Sequence, residues 1–273
     1  MTWSSLRVDP GPDRDQVLAV LFAAGAQGVH EDGATLVTHF PEDTDINDVV
    51  ARVRDASATA TCTVGEAPAT DWSVAWRDRI TAHQVGRLTV APPWLAHDLD
   101  PATTVIIDPG MAFGTGDHPT TRGALRLLEP CVEPGMVVAD LGAGSAVLAI
   151  AAAKLGASAV FAVEYDGEAI GNAQENIDRN DVADIVQVFE GDAGAFLPLV
   201  APVDLITANI ISSVLVELLP TMFAALRPAG RVVLAGILAE ERASMLEALS
   251  ADGWTVQQED TEELWWSLTI ARS

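Results

Sequence analysis

Val137-Val138-Ala139-Asp140-Leu141-Gly142-Ala143-Gly144-Ser145-Ala146 is a short apolar strand running into an acidic residue and a glycine-rich turn, with an apolar helix pattern after it. Strand, turn and helix in that order build a small-molecule pocket at the carboxyl edge of a parallel sheet. Gly142 and Gly144 allow a sharp turn and a close approach of backbone to ligand that a Cβ would block. A dinucleotide site uses G-x-G-x-x-G, whose last glycine lets helix and strand pack closely beside the pyrophosphate. Val147 stands at that third position here. Asp140, two residues before the first glycine, also sits poorly beside a diphosphate. A carboxylate there suits a cationic ligand group, or else holds the turn through backbone N–H bonds.

The next acidic positions follow the same sheet edge. Glu164 ends the apolar run 159–163, about 20 residues past the turn, where a carboxylate can grip both hydroxyls of a ribose. Enzymes of NAD share that feature, so it marks a ribose site and no particular cofactor. Asp166 is expected to cap a helix over 167–179. Asp192, after a strand at 185–189, is a candidate adenine contact, and a turn residue is its plain alternative.

Outward from this corner, strands alternate with helices from about residue 101 to the end. Strands are expected at 104–107, 136–141, 159–164, 185–189, 203–208, 231–236, 255–259 and 264–271, with helices at 145–155, 212–226 and 240–251. Repeated βα units imply a doubly wound, Rossmann-like α/β sheet, mostly parallel, with an antiparallel last strand.

Residues 1–65 read as a separate small unit. The expected order is strand 3–8, helix 14–24, a hairpin of 28–31 and 34–40 around Asp32-Gly33, a second helix marked by Ile46, Val49, Val50 and Val53, and strand 59–64. That β-α-β-β-α-β order is ferredoxin-like α+β. The first helix places Val17, Leu18, Leu21 and Phe22 on one face. Residues 66–100 read as a linker with a helix and a strand, anchored by Trp72 and Trp76 at helical spacing, with the strand at 85–91. The catalytic-type α/β unit then spans 101–273.

Composition narrows the classes. A net charge of −24 repels phosphate backbones, so direct nucleic-acid binding is not expected. The same field attracts a basic protein, and acid-rich, lysine-poor composition equally suits a salty cytoplasm. Neither a long apolar run nor a basic-then-apolar amino-terminal segment occurs, which reads as a soluble cytoplasmic chain with no membrane partner. Cys62 and Cys131 have no metal or redox spacing, and no metal site is expected.

Two further segments carry chemistry. Asp108-Pro109-Gly110-Met111-Ala112-Phe113-Gly114-Thr115-Gly116-Asp117-His118-Pro119-Thr120-Thr121 holds three glycines within seven residues, and Pro119 starts a helix. Such a loop can fold over a ligand, with Phe113 stacking and the Thr121 hydroxyl bonding. His118 either braces the loop or serves as a base. In Asp204-Leu205-Ile206-Thr207-Ala208-Asn209-Ile210-Ile211, Asn209 ends a strand beside Asp140 and Glu164, where its amide can both donate to and accept from a ligand or an incoming amine. A helix cap is its structural alternative.

The spacing D-x-G-x-G at Asp140 to Gly144 resembles the first motif of S-adenosylmethionine-dependent methyltransferases, whose donor carries an ammonium and a sulfonium but no phosphate. Together with the loop 108–121, the stretches 163–166, 204–210, 226–238 and 263–265, and the linker 72–94, it resembles the PrmA family. These are the bacterial methyltransferases of large-subunit ribosomal protein L-eleven. The F-G-T-G-x-H-P-T-T loop is the specific element, and the likeness covers nearly the whole chain. It implies that Thr121, Gly142, Glu164 and Asn209 bind S-adenosylmethionine, with Phe113, Asp140, Gly144 and Asp192 as further candidate contacts from their positions. It also implies that the amino-terminal domain docks the ribosomal protein, and that lysine side chains and the α-amino group are methylated. From its position and its amide chemistry, Asn209 is expected to orient the amine. Ala146 departs from the family's glycine, Ala143 from a frequent cysteine, Asp117 from threonine and Ala229 from glycine. Alternatives are a lysine methyltransferase of the same scaffold with another protein substrate, an NAD-dependent oxidoreductase, and a non-catalytic adaptor.

Overall fold

The computed structural model describes residues 3–26, 29–33, 35–41, 44–57, 59–66, 80–108, 114 and 116–273. Trp72, Trp76 and Phe113 lie outside the described residues. The chain divides into two compact units, Met1–Arg79 and Ile80–Ser273.

In the first unit, β1 (Trp3–Asp9), β2 (Val29–Asp32), β3 (Thr35–Pro41) and β4 (Thr61–Glu66) form an antiparallel sheet in the order β2-β3-β1-β4. Helices α1 (Arg14–Ala23) and α2 (Ile46–Ala56) complete the β-α-β-β-α-β order. Asp32 pairs with Thr35 across the hairpin, and Gly33 takes φ +62°. Asp45 starts α2 by accepting from the N–H groups of Asn47 and Asp48, an ordinary N-cap. Leu6, Val8, Val17, Leu21, Phe40, Val49 and Val53 make the core. Phe22, expected on the buried face of α1, is 53 % exposed. One residue on from Leu21, it is rotated about 100° around the helix and leaves the apolar stripe.

The second unit begins earlier than the sequence suggests. Residues 85–91, read as one strand, are two: β5 (His83–Val85) and β6 (Leu88–Ala91). Gly86 takes φ +58° at the turn between them, and the Glu129 carboxylate packs over it and accepts from the Arg87 N–H at 3.1 Å. With β7 (Thr104–Ile106) they form a three-stranded sheet, and Val85, Leu88 and Val90 belong to the core of this unit.

The main sheet has seven strands. They are β8 (Val137–Leu141), β9 (Ala159–Glu164), β10 (Val186–Glu190), β11 (Val203–Asn209), β12 (Leu226–Leu238), β13 (Trp254–Glu262) and β14 (Trp265–Arg272). Their order is β10-β9-β8-β11-β12-β14-β13. The five from β10 to β12 run parallel, and β14 is antiparallel to both neighbours, β12 and β13. The last strand therefore inserts inside the sheet, with β13 at the edge. Strand order reverses at β8, so the crevice for a ligand opens beyond the carboxyl ends of β8 and β11.

Helices α3 (Pro119–Leu128), α4 (Val147–Leu155), α5 (Gly167–Arg179), α6 (Ala193–Val200), α7 (Ser212–Ala225) and α8 (Arg242–Ala251) cover the sheet. In α4 every residue but Lys154 is buried, as expected of a helix that is apolar all round. It starts two residues later than its pattern suggests, because Ala146 sits at φ +66°. That left-handed conformation costs a non-glycine residue about 1 kcal/mol or more, and it accounts for the glycine that the related turn carries there. No helix among the described residues is long and apolar enough to cross a membrane.

Candidate active site

A cavity of about 640 Å³ lies at the carboxyl edge of the parallel strands. Gly142 and Gly144 enter it from the turn after β8, Glu164 from β9, Asp192 from the end of β10, Asn209 from β11 and Trp265 from β14. A strand antiparallel to its neighbours starts where they end, which is why Trp265 reaches this edge.

The turn is shaped for close approach. Gly142 takes φ +73° and Gly144 φ +52°, conformations that glycine adopts without strain. A Cβ on Gly142 would fall 2.3 Å from Cγ2 of Ile210. The Gly144 N–H donates to Oε2 of Glu164 at 2.8 Å, and Oε1 accepts from the Asp166 N–H at 2.9 Å. The ribose candidate is thus held by two charge-assisted bonds, one to the glycine turn and one to the start of the segment that follows β9.

Asp140, expected among the ligand contacts, lies behind the cavity wall and is 1 % exposed. Its Oδ1 accepts from the Thr207 hydroxyl at 2.6 Å and its Oδ2 from the Ala149 N–H at 3.1 Å. Its contacts match the structural one of the two roles the sequence leaves open, with the N–H supplied by Ala149 in α4 and none by the turn itself among the described contacts. Burial pushes its pKa up to about 6, against the opposing hydrogen bonds from Thr207 and Ala149, and the Glu164 charge adds to the rise.

A carboxyl raised in the folded state keeps a proton that the unfolded chain releases, so stability falls as pH rises from about 4 through about 6. Asp140→Asn has no proton to lose, and its amide can still donate to Thr207 and accept from Ala149. Urea unfolding at about pH 4 and pH 7 should show the variant gaining on the parent by on the order of 3 kcal/mol across that span. A pH-independent difference would rule this out.

Asn209 stands two residues after Thr207 on β11, so both side chains leave the same face. Its Nδ2 reaches the Thr121 hydroxyl at 3.5 Å, and its Oδ1, although buried, has no hydrogen-bond partner among the described residues. Buried acceptors are rarely left unpaired, and this one belongs to a residue that lines the cavity. Thr121, expected as a ligand contact, is fully buried behind Asn209, and Thr120 takes the wall position.

Asp192 lines the cavity and also caps α6 through the Ala195 N–H at 2.9 Å. His118 caps α3, with Nδ1 facing the Thr120 N–H and hydroxyl, and its ring meets Trp265 edge-on at 5.1 Å. Burial, helped by Arg122, lowers its pKa. Its contacts are those of a brace. Arg122 and Arg126 of α3 bind Glu262 and Asp260 of β13, which fixes the helix against the strand pair carrying Trp265. The hydrogen bonds from Arg122 and Arg126 hold the Glu262 carboxyl below its usual range.

Gly191, Gly236, Tyr165 and Trp265 line the cavity without having been singled out from sequence as contacts. Gly236 had a signal, a glycine near the carboxyl end of an apolar strand. Tyr165 is 81 % exposed, and Ile211 and Leu264 are exposed apolar residues flanking Asn209 and Trp265 in sequence. No cluster of His, Cys, Asp or Glu able to hold a metal occurs among the described residues.

Comparison with known proteins agrees with this geometry. The family model described as "Ribosomal protein L11 methyltransferase (PrmA)" matches residues 13–273. A ribosomal protein L11 methyltransferase of Chloroflexus aurantiacus is 40 % identical over 247 residues, covering 82 % of this chain and 74 % of the relative. One from Enterococcus faecalis is 30 % identical, covering 100 % of this chain and 99 % of its own. The crystal structure of ribosomal protein L11 methylase from Lactobacillus delbrueckii subsp. bulgaricus superimposes with a TM-score of 0.63 at 30 % identity, covering 71 % of this chain and 99 % of that one. A putative methyltransferase complexed with SAH shares the fold at 15 % identity and a TM-score of 0.50.

Proposed function

Because the chain belongs to the ribosomal protein L11 methyltransferase family, we propose that it transfers methyl groups from S-adenosylmethionine to lysine and α-amino nitrogens of ribosomal protein L11. One observation carries the reading at the site. Glu164 and Asn209, whose buried Oδ1 has no partner among the described residues, line one cavity floored by a close-approach glycine turn. The donor, when bound, supplies a methyl group already activated on a sulfonium.

The residues then have these tasks. Both Glu164 oxygens, each bonded to one N–H, retain lone pairs for the two ribose hydroxyls. Asp192 faces the same cavity one strand further out, at the height expected of an adenine contact. Asn209 offers an acceptor to an N–H of the incoming amine, which aims the nitrogen lone pair. Alignment and desolvation are the main work in such a transfer.

An ammonium has no lone pair, so the amine must arrive neutral. A free lysine has a pKa near roughly 10.4, and desolvation lowers it. Val163, Ile210, Val214 and Trp265 give the cavity an apolar wall for that purpose. The net charge of −24 favours a basic protein substrate, and a ribosomal substrate supports a cytoplasmic place of action. The amino-terminal unit is the proposed docking domain.

Calorimetric titration tests the donor assignment. S-adenosylmethionine and S-adenosylhomocysteine are expected to bind and NAD to give no heat. Binding of NAD in preference to either would reject it.

A further inference from the structure

Helix α5 carries Asn176, and Asn180, four residues on, is its C-cap; both are buried. The Asn180 Oδ1 accepts from the Ile106 N–H at 2.8 Å, and its Nδ2 donates to the Ile106 carbonyl at 2.6 Å. The Asn176 Oδ1 accepts from the Asp108 N–H at 2.9 Å, and its Nδ2 lies 3.5 Å from the Asp108 carbonyl. Each amide thus serves both backbone groups of one residue, as a neighbouring strand would. The spacing allows it: four residues of helix rise about 6 Å and two residues of strand about 6.6 Å. The two side chains extend the pairing of β7, whose other edge bonds to β6.

Asn176 does something Asn180 does not. Its Nδ2 also donates to the Ser145 carbonyl at 3.2 Å, and the Ser145 hydroxyl donates to the Gly114 carbonyl at 2.7 Å. Arg179 donates to Oδ1 of Asn176 at 2.8 Å. The amide of Asn176 therefore joins Asp108, the end of the glycine turn and, through Ser145, Gly114. The turn has reason to need this tie. The N–H groups of Gly142 and Ala143 bond the Val163 carbonyl and that of Gly144 bonds Glu164, whereas the far end of the turn, at the Ser145 carbonyl, is held by Asn176.

We infer that Asn176 is a positioning residue for the donor site, fixing the glycine turn Gly142–Ser145 at the height that Glu164 and the donor require. It is fully buried and does not line the cavity, so it acts through the turn. The inference rests on the donor reading above.

The test uses the full chain and S-adenosylhomocysteine, read by calorimetry, with urea unfolding alongside. Asn176→Ala and Asn180→Ala each remove one strand-like amide, and both are expected to lose stability. Only Asn176→Ala should also weaken binding, by roughly 10- to 100-fold, the scale expected when a site is displaced by about an ångström. Asn176→Asp keeps the acceptor for Asp108 and Arg179 but turns a lone pair on the Ser145 carbonyl, and should weaken binding to a similar degree. It supplies the answer should the alanine variant not fold. Unchanged affinity in the Asn176 variants, or an equal loss in Asn180→Ala, overturns the inference. A parent chain that binds no S-adenosylhomocysteine overturns the donor reading, and the inference with it.

Discussion

Replacing Asn209 by alanine is expected to lower methyl transfer roughly 10²- to 10³-fold, the range seen when one preorganised hydrogen-bonding group is removed from an active site. Folding should barely notice. The side chain's contact with Thr121 is long, at 3.5 Å, and its Oδ1 is an unpaired buried acceptor. Removing an acceptor that has no partner relieves a desolvation cost that offsets the lost contact, so the net change should stay within about 1 kcal/mol. Large loss of transfer with an almost unchanged unfolding midpoint is the signature. Donor affinity separates the two tasks at this residue: it should fall far less than the rate, because Glu164 and the turn remain. Near-normal turnover would reject the role, and an equal collapse of stability would make Asn209 a structural residue.

The second large effect concerns Gly236. An alanine there would place its Cβ 2.4 Å from the Ile210 carbonyl oxygen and 2.9 Å from the carbonyl carbon, at φ +84°. Both atoms are backbone, and Ile210 directly follows Asn209, so relief requires moving the strand end that bears the site. Strain at a positive φ and overpacking each cost about 1–3 kcal/mol. Gly236→Ala should therefore lose about 3–5 kcal/mol in urea unfolding, enough to disable a marginally stable fold. Gly25 is the control: its φ is +97°, but nothing lies within 4 Å of an added Cβ. Gly25→Ala should lose only the backbone part, about 1–2 kcal/mol. Equal losses in the two variants would contradict the steric argument.

The sheet was readable because its signals are local. Apolar runs alternate with helix patterns, and Asp166 caps α5 where its position says it should. The glycine turn and Glu164 were readable for the same reason, since 20 residues of β-α-β fix their distance in space. Asp140 was not. Whether it faces a ligand or the helix depends on Thr207, 67 residues away, and on the N–H of Ala149. Trp265 reaches the cavity because β14 inserts between β12 and β13, a strand order that no local pattern encodes. The turn that splits 85–91 also depended on a distant partner, the Glu129 carboxylate over Gly86. Ala146 went the other way: its departure from glycine was visible in sequence, and its left-handed backbone shows what that departure costs.

Mass spectrometry of ribosomal protein L11 reads the proposed methyl transfer on the substrate itself. Purified, unmethylated L11 would be incubated with the full chain and S-adenosylmethionine, with Asn209→Ala in parallel. Mass increments of whole methyl groups are expected on lysine or α-amino nitrogens with the parent chain and almost none with the variant. Unmodified L11 after incubation with a parent chain that binds the donor would contradict that transfer.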